Sequence, residues 1–415
     1  MKEGRVAITG MGAICGLGHN VEDIWKSAIQ GKSGISTISQ SPLDEKVTVK
    51  IAGEVKNFHL NEELLSPKEA PRFDRFIQFA LHSTKEALAD AGLLLESPYP
   101  RERMGALMGV GMGGFPLIEN AARVYGERGQ RRVSPFFIPS IIPNMAPGMT
   151  SIVFDLKGIN YSISSACASS AHALAAACFE ITSGRHDVIV SGGAESCISN
   201  LPISGFSNMK ALSKRYDNPS EASSPFDISR DGFVMAEGAG ILVLENYEKA
   251  LARGATIYAE LVGHGVSSDA HHITSPHPEG EGASRCMKAA IENAQISPSD
   301  IGYINAHGTS TPLGDLGETK AIHKTFGEHA QKLKISSTKS MTGHLLGAAG
   351  GIETIFCAKA LYEGILPPTI NLTNQDPQCD LDYIPNKSQK VQVQYALNNS
   401  FGFGGTNASV ILKKV

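Results

Sequence analysis

Two distant segments of the chain share the same order of local patterns, and this internal similarity constrains the fold most. In each, a β-type run passes through small residues into a Gly/Ala-rich helix: "SISSACASSAHALAAA" and later "ISSTKSMTGHLLGAAGG". Each half also ends with an apolar strand and glycines, "DVIVSGGAES" and "ALNNSFGFGGTNAS". The recurring order favours a duplicated unit, and chance similarity between two buried α/β segments is the alternative. In a duplicated unit, Cys167 and the Lys339–His344 segment occupy equivalent positions and can face a common site.

The remaining sequence alternates short apolar strands, which end in glycine or small polar residues, with helical stretches. Helices are predicted over Val21–Gln30, Phe73–Ala91, Ala168–Thr182 and Gly343–Tyr362. Glycines follow the first, second and last of these, where C-terminal caps belong. Strands that are apolar throughout and alternate with helices predict an α/β protein with covered sheets.

The amino-acid composition limits which cellular compartment and which kinds of partner we expect for this protein. The formal net charge of −4 over 415 residues gives no global reason to expect nucleic acid. The seven cysteines are scattered and include no C-x-x-C pair, which argues against a disulfide framework and a cysteine-based zinc site. No apolar run reaches membrane-spanning length. We therefore expect a soluble protein of the reducing cytoplasm.

Motifs of several other enzyme classes are incomplete or missing. "GVGMGG" at 109–114 has the glycine spacing of a dinucleotide-binding turn, but the second strand and its terminal acid do not follow. Neither H-E-x-x-H nor G-x-S-x-G occurs in the chain. Zinc and serine hydrolases are therefore disfavoured.

Cys167 is the first candidate catalytic residue, because it lies between a β-type run and an Ala-rich helix with only small residues around it. A thiol at a helix N-terminus is predicted to have a lowered pKa, since unpaired N–H groups favour the thiolate. The strand-to-helix turn also exposes the sulfur and directs its own backbone N–H toward a substrate oxygen. The alternative is a small buried hydrophobe, which is the favoured interpretation for most of the other cysteines.

Two histidines and a lysine complete the candidate set. His307 ends an apolar strand and begins a turn rich in hydroxyls, "NAHGTST", where functional side chains of α/β proteins gather. His344 is placed at the start of a predicted helix, with Lys339 upstream in "STKSMTGH". A cation near the ring favours the neutral imidazole by repulsion. The alternatives are a structural histidine at a strand end and a solvated surface lysine.

Four long motifs in order resemble the β-ketoacyl-acyl carrier protein synthases of the thiolase superfamily. They are "SSACASS", "NAHGTSTPLGD", "STKSMTGHLLGAAGG" and "NNSFGFGGTNAS". The resemblance covers essentially the whole chain, and it is greatest to the elongating type II enzymes of dissociated fatty acid synthesis. It implies a thiolase fold, in which duplicated α/β halves form five αβαβα layers. It also implies an N-terminal half at 1–254, a C-terminal half at 255–415 and a homodimer.

The resemblance also assigns roles to individual residues. Cys167 becomes the acylated nucleophile, His307 and His344 the two catalytic histidines, and Lys339 the supporting residue. Further roles are a gate and second oxyanion-hole N–H at Phe401, pantetheine-binding hydroxyls at Thr309 and Thr311, and acyl-tunnel positions at Met112, Phe206 and Phe401.

The implied activity is an acyltransferase reaction, a decarboxylating Claisen condensation of fatty acid elongation. An acyl group passes from acyl carrier protein to Cys167 and then joins the enolate of malonyl-acyl carrier protein, giving β-ketoacyl-acyl carrier protein and CO₂. Two neutral imidazoles stabilise that enolate by donating N–H bonds. No metal, nucleotide or redox cofactor is required, because the substrates carry phosphopantetheine.

Carrier protein is strongly acidic in this family, so the resemblance implies a basic rim despite the negative net charge. The candidate residues are Lys68, Arg72, Arg75, Arg131, Arg132, Lys210, Lys214 and Arg215. The alternative for any one of them is a solvated charge.

Three rival functions remain open at this stage. The same Cys-His-His set serves the ketosynthases of type II polyketide pathways, and the motifs barely separate the two. A non-catalytic chain-length partner subunit typically lacks the nucleophile, which this chain has. A cysteine hydrolase would release free acid without a malonyl donor.

Overall fold

One mixed sheet of ten strands runs through the protein in a computed structural model that describes residues 4–415. The strands of this part of the chain are β1 Val6–Ile14, β2 Ser36–Thr37, β3 Ile51–Ala52, β4 Met104–Gly109, β5 Asn160–Ile163, β6 Val188–Glu195, β7 Gly238–Asn246, β8 Ala259–Ser268, β9 Ile301–Asn305, β10 Lys334–Ser336, β11 Ile365–Leu366, β12 Gln389–Lys390, β13 Tyr395–Gly402 and β14 Thr406–Lys413. The short strands β2 with β3, and β11 with β12, form two separate ribbons.

Helices cover both faces of this sheet. They are α1 Val21–Ile29, α2 Arg75–Asp90, α3 Phe115–Arg128, α4 Phe137–Ile141, α5 Met145–Phe154, α6 Ser169–Thr182, α7 Asn200–Asn208, α8 Tyr247–Ala252, α9 Glu281–Ala294, α10 Pro312–Phe326, α11 Lys339–Thr342 and α12 Ala349–Glu363. Short 3₁₀ turns span Ala70–Arg72, Arg101–Arg103, Gln130–Arg132, Pro219–Glu221, Pro298–Asp300, Gly327–Lys332 and Leu346–Ala348.

The strand order confirms the duplication predicted from the sequence. The first half of the sheet has the order β5-β4-β6-β7-β1, and the second has the corresponding order β10-β9-β13-β14-β8. Each half begins with two parallel pairings at its outer edge and continues with two antiparallel ones. The first strands of the two halves, β1 and β8, pair antiparallel and join them. The predicted boundary between residues 254 and 255 falls in the connection from α8 to β8.

The layers also follow the predicted α/β arrangement. Helices α6 and α12 contact each other and strands of both halves, so they form a central layer. Helices α2 and α5 pack on the first half, and α9 packs on the second with α10 against it. The result is the five-layer αβαβα order of a thiolase fold.

Small residues in α6 and α12 are needed by this central packing. A Cβ atom at Gly351 would lie 2.3 Å from the Gly240 carbonyl oxygen of β7, and one at Gly350 would lie 2.9 Å from the Ala171 nitrogen of α6. Residues Ala349–Leu361 of α12 are buried on every side of the helix. The Gly/Ala-rich pattern of both repeated segments therefore reflects close helix packing.

The predicted helix Gly343–Tyr362 was wrong at its start. Gly343 has a φ of 72° and Leu346 a φ of 50°, and these left-handed conformations interrupt the helix before Ala349. The backbone of His344 instead pairs with an extended segment, donating to Val234 (2.8 Å) and accepting from Ala236 (2.9 Å). His344 therefore precedes a 3₁₀ turn and does not begin a helix. The other three predicted helices differ from the observed bounds by one or two residues.

No helix between residues 4 and 415 is both long enough and apolar enough to cross a bilayer.

Candidate active site

A cavity of about 380 Å³ lies where the two halves meet. Cys167 and Phe206 reach it from the first half, and His307, His344 and Phe401 reach it from the second. These residues are far apart in the sequence, yet they line one continuous space. The duplication explains this, because each half ends its equivalent strand-to-helix connection at the same interface.

Cys167 lies in the short connection between β5 and α6. Ala166 before it has a φ of 49°, a left-handed conformation that few residues with a side chain adopt. The turn is held by Ser165, whose backbone N–H donates to Ser169 Oγ (2.9 Å) and whose hydroxyl bonds to His172 Nδ1 (2.7 Å). Strained backbone held by side-chain bonds is typical of functional turns. The arrangement presents the sulfur to the cavity beside the helix N-terminus.

The predicted lowering of the Cys167 pKa was wrong. Burial raises the pKa of this thiol to about 12, although the Lys339 ammonium acts in the opposite direction. Glu195 and Glu353 add to the increase by repelling a thiolate. The sequence showed only one influence on this pKa, the helix N-terminus, which lowers it. The burial that raises the pKa comes from the packing of the five layers. Cys167 therefore carries its proton at neutral pH and needs a proton acceptor when it attacks.

We expect alkylation of Cys167 by iodoacetamide to accelerate throughout the range from about pH 6 to pH 9. A thiol with a pKa of about 12 gains thiolate roughly tenfold per pH unit in that range. Peptide mass spectrometry can follow the modification, with a Cys167→Ser variant reporting the reaction of the other six cysteines. A rate that reaches a plateau below pH 8 would contradict the assignment.

The two histidine rings lie side by side as neutral groups. Their centroids are 5.4 Å apart with an interplanar angle of 85°. Burial lowers the pKa of both imidazoles well below 6.5, and the Lys339 ammonium lowers it further. Two neutral rings can donate N–H bonds to a developing anion without carrying a permanent charge.

His344 has a fixed tautomer. The Leu346 backbone N–H donates to its Nδ1 (3.3 Å), so Nδ1 is an acceptor and the ring proton lies on Nε2. That Nε2 is buried and has no hydrogen-bond partner within residues 4–415. Phe233 packs edge-on against the ring, with centroids 5.4 Å apart. A held ring with an unpaired N–H donor is suited to bind an oxyanion.

His307 is positioned through its backbone. Glu318 of α10 accepts hydrogen bonds from the N–H groups of His307 (2.9 Å) and Gly308 (2.8 Å), and the Asn399 amide donates to the same carboxylate (3.0 Å). The His307 Nδ1 atom lacks a partner in the described chain. Its tautomer is therefore not fixed by a neighbour, unlike that of His344. Sequence reasoning missed Glu318, although it follows the "NAHGTSTPLGD" motif closely.

Lys339 is buried and paired, which excludes the solvated surface lysine that the sequence left open. It is 1% exposed, and its ammonium forms a salt bridge with Glu353 of α12. Sequence reasoning missed Glu353, whose pKa burial raises to about 7 while Lys339 opposes the shift. The Lys339 ammonium also contributes, by repulsion, to the lowered pKa of both imidazoles.

Aromatic rings form the walls around the histidines. Phe401 lies 5.6 Å from His307, and Phe206 lies 5.3 Å from Phe233, measured between ring centroids. Phe403 follows at 6.1 Å from Phe206. The backbone of Gly402 also approaches the nucleophile, because a Cβ there would lie 3.2 Å from the Cys167 nitrogen. Aromatic side chains therefore supply part of the cavity lining beside the histidines.

The predicted pantetheine and tunnel residues occupy different parts of the site. Thr309 and Thr311 line the cavity, and their hydroxyls bond to each other at 3.0 Å. Phe206 also lines the cavity, whereas Met112 does not. Met112 packs in the apolar cluster that contains Cys167 and Phe206. Met112 therefore packs on the same apolar cluster as Cys167 without lining the cavity, and its place in an acyl tunnel stays a prediction.

The predicted basic residues are exposed but differ in their surroundings. Lys68, Arg72, Arg131, Arg132 and Lys210 are all exposed, and none forms a salt bridge in the part of the chain that the structure describes. The Arg72 guanidinium lies 4.7 Å from the centre of the Phe136 ring, and Lys210 lines the cavity.

Arg75 and Arg215, from the same predicted clusters, are engaged within the fold. Arg75 pairs with Glu237 (2.9 Å), and Arg215 donates to the Ser224 hydroxyl (3.0 Å). These two side chains are less available to a partner than the exposed ones.

Two family models and several named relatives match this chain. A family model described as Beta-ketoacyl synthase, N-terminal domain matches residues 3–250, and its C-terminal domain counterpart matches 258–373. A 3-oxoacyl-[acyl-carrier-protein] synthase 2 of Staphylococcus aureus is 49% identical, covering 99% of this chain and 98% of that protein. The protein of the same name in Coxiella burnetii is 46% identical over the full length of both chains.

Solved structures with the same fold include ketosynthases of two kinds. A β-ketoacyl synthase from Burkholderia phymatum has a TM-score of 0.92 at 35% identity, covering 99% of this chain and 100% of that one. A type II polyketide ketosynthase, solved with its acyl-carrier protein and a bound hexaketide, has a TM-score of 0.92 at 33% identity with full coverage of both. With both domain models matched and near-complete relatives at almost half identity, the chain belongs to the β-ketoacyl synthase family.

Proposed function

We propose that this protein catalyses the decarboxylating condensation that elongates fatty acyl chains on acyl carrier protein. The observation that carries the proposal is that Cys167, His307 and His344 line one cavity, with both rings neutral. A thiol next to two N–H donors can first hold an acyl group and then stabilise an enolate. A hydrolase would need no second imidazole of this kind.

The first half-reaction transfers the acyl group to Cys167. The sulfur attacks the thioester carbonyl, the bond from that carbonyl to the pantetheine sulfur breaks, and the departing sulfur leaves as a thiol. Because Cys167 is protonated at neutral pH, its proton must pass to the departing sulfur. We assign this transfer to His307, because it lines the cavity with Cys167 and no neighbour fixes its tautomer. His344 is unsuitable because its Nε2 already carries a proton.

The second half-reaction forms the carbon–carbon bond. Malonyl thioester loses its carboxylate as CO₂, and the electron pair moves onto the thioester oxygen as an enolate. The Nε2–H of His344 and an N–H of His307 donate to that oxygen. The carbanion then attacks the acyl carbonyl on Cys167, and the bond from that carbonyl to Cys167 breaks. The released thiolate takes up one proton from solvent, which is the proton that the overall reaction consumes. The steps balance without a metal or a redox cofactor.

Identity to named relatives supports fatty acid elongation over polyketide synthesis. Relatives named 3-oxoacyl-[acyl-carrier-protein] synthase 2 are 46–49% identical, whereas the polyketide ketosynthase is 33% identical. The deciding experiment incubates the protein with acyl- and malonyl-carrier protein and sizes the products by mass. One β-ketoacyl product, longer than the acyl donor by two carbons, is expected. Reiterated polyketones, or free acid formed without malonyl donor, would contradict the assignment.

Phe401 is proposed as the gate of the acyl tunnel, because its ring lies against His307 on the cavity wall. We expect Phe401→Ala to slow acyl loading about 10- to 100-fold, since the ring orders the groups that meet the thioester. Rapid-quench measurement of acyl-Cys167 formation tests this, with Phe403→Ala as the matched control on the neighbouring ring. An unchanged rate of acyl loading in Phe401→Ala would contradict the role of Phe401 as a gate.

Acyl carrier protein is the proposed partner, with the exposed basic residues at its docking surface. The ketosynthase solved with its acyl-carrier protein supports such a partner for this fold. Lys210 is the best-placed contact because it lies at the cavity itself. Exposed cations attract an acidic partner most at low ionic strength, so the KM for carrier substrates should rise with salt.

We propose that the protein forms a homodimer through an exposed edge of the sheet. Strand β5 is the outermost strand of the first half, and Tyr161 on it is exposed. Helices α5 and α6 contact β5 and expose Ile152 and Phe179. An edge strand beside exposed apolar side chains is a template for pairing with a second copy. Sedimentation at micromolar concentration tests this, and Phe179→Glu should weaken the dimer.

A further inference from the structure

Glu195 is a buried carboxylate that the mechanism above does not use. It is the last residue of β6 and is 0% exposed. Its oxygens accept hydrogen bonds from the backbone N–H groups of Gly111 (2.8 Å), Met112 (3.2 Å), Gly113 (3.2 Å) and Gly347 (3.1 Å), and from the Cys197 thiol (3.4 Å). No salt bridge to Glu195 occurs among residues 4–415. Backbone donors from two separate segments therefore supply most of its partners.

The first of these segments carries Met112, which the family resemblance predicts to line the wall of the acyl tunnel. Residues 111–113 follow β4 directly, and their three successive N–H groups all point to the Glu195 carboxylate. A Cβ at Gly111 would lie 2.6 Å from Glu195 Oε2, so the glycine allows this close approach. Met112 packs in the same apolar cluster as Cys167 and Leu346. Glu195 thus sets the backbone from which the Met112 side chain projects.

The second segment carries the group that fixes His344. Gly347 donates to Glu195, and Leu346 immediately before it donates to His344 Nδ1. Leu346 has a φ of 50°, a strained conformation that its neighbours must maintain. A Cβ at Gly347 would lie 2.2 Å from the Gly111 nitrogen. The segment that carries Met112 and the turn that fixes His344 therefore both donate backbone hydrogen bonds to the Glu195 carboxylate.

We propose that Glu195 is a positioning residue that links the acyl-tunnel wall at Met112 to the orientation of His344. A long acyl chain that displaces the wall would also change the bonds that Glu195 makes to the His344 turn. Chain length on Cys167 and the rate of malonyl decarboxylation would then be coupled. The proposal rests on the condensing function proposed above. Glu195 touches neither substrate nor the reacting atoms, so its effect is indirect.

Glu195→Gln is the main test, because the amide keeps the shape but replaces one acceptor oxygen with a donor that opposes the backbone N–H groups. In a Cys167→Gln background, we expect it to reduce malonyl decarboxylation about 10- to 100-fold through a misplaced His344 ring. In the chain with Cys167 intact, we expect the kcat/KM ratio for myristoyl over butyryl donors to change about tenfold. Butyryl loading of Cys167 should not fall, since neither segment holds the sulfur and the substitution removes a carboxylate charge that repels the thiolate.

Glu245→Gln is the matched control. Glu245 is also buried, lies on β7 beside the opposite end of β6, and bonds to Thr9, Tyr99 and Arg253. This variant should lower the melting temperature without changing the length ratio or the decarboxylation rate. The positioning role would be overturned if Glu195→Gln lowered kcat/KM equally for all acyl donors. It would also be overturned if Glu195→Gln, like Glu245→Gln, lowered only the melting temperature. If the unmodified enzyme itself fails to condense, the proposed function fails instead.

A second measurement needs no variant of Glu195. Hydrogen exchange of the Gly111–Gly113 and Gly347 amides can be compared with Cys167 carrying a butyryl or a myristoyl group. The proposal predicts faster exchange in both segments with the longer chain, because they share one acceptor. Faster exchange confined to 111–113, or none, would overturn the coupling whether or not Glu195→Gln folds.

Discussion

A Cys167→Gln variant should lose condensation altogether while it continues to decarboxylate malonyl-carrier protein. Loss of a covalent nucleophile costs on the order of 10⁶ in kcat in well-studied hydrolases, because the covalent path disappears. Decarboxylation should survive, since His307 and His344 remain to stabilise the enolate and neither depends on the sulfur for its position. The measurement is release of labelled CO₂ alongside product mass.

A control variant for this prediction distinguishes a loss of catalysis from a loss of folding. Cys178→Gln places the same change in the buried part of α6, away from the cavity, and reports the cost of the amide to folding. If Cys167→Gln folds like the unmodified protein but releases no CO₂, the division of labour between sulfur and imidazoles is wrong.

A His344→Ala variant should load Cys167 normally but decarboxylate malonyl thioester about 10²- to 10³-fold more slowly. Removing one oxyanion donor in a closed site costs about 2.7–4 kcal/mol of transition-state stabilisation. His344→Asn keeps a side-chain N–H donor and should recover part of the rate. His307→Ala should reduce loading as well as decarboxylation, because we assign proton transfer to that ring. Equal losses in both half-reactions for His344→Ala would contradict the assignment.

The pH dependence gives an independent check on the same two rings. An ordinary imidazole would become protonated as the pH falls through 6.5, but burial and Lys339 hold both pKa values well below that. Decarboxylation by the Cys167→Gln variant should therefore stay constant from pH 8 to below pH 6.5. The free energy of unfolding should fall over the acidic part of this range, because only the unfolded chain takes up these protons.

The sequence predicted the parts of this account that depend on local pattern. The two Gly/Ala-rich segments identified the duplication, and Cys167, His307 and His344 were each found at the end of a strand or in a connection. Such positions are visible because small residues and glycines surround them. The resemblance to the ketosynthases then supplied the roles of Phe401, Thr309 and Thr311, which remain predictions.

Other features required the fold. Glu195, Glu318 and Glu353 bond mainly to backbone N–H groups or to one buried cation, and no spacing rule connects them to those partners. The high pKa of Cys167 depends on burial between layers, which outweighs the helix N-terminus seen in the sequence. The start of α12 was misplaced because the backbone of His344 pairs with residues far earlier in the chain.

The central claim is that one sulfur and two imidazoles act on the same thioester, and a mass measurement on the Cys167 peptide tests it most directly. The protein is first given acyl-carrier protein, and malonyl-carrier protein is then added. We predict an acyl adduct on Cys167 that disappears as β-ketoacyl-carrier protein forms, and that persists in His344→Ala. An adduct on another residue, or one that malonyl-carrier protein discharges equally well without His344, would contradict the account.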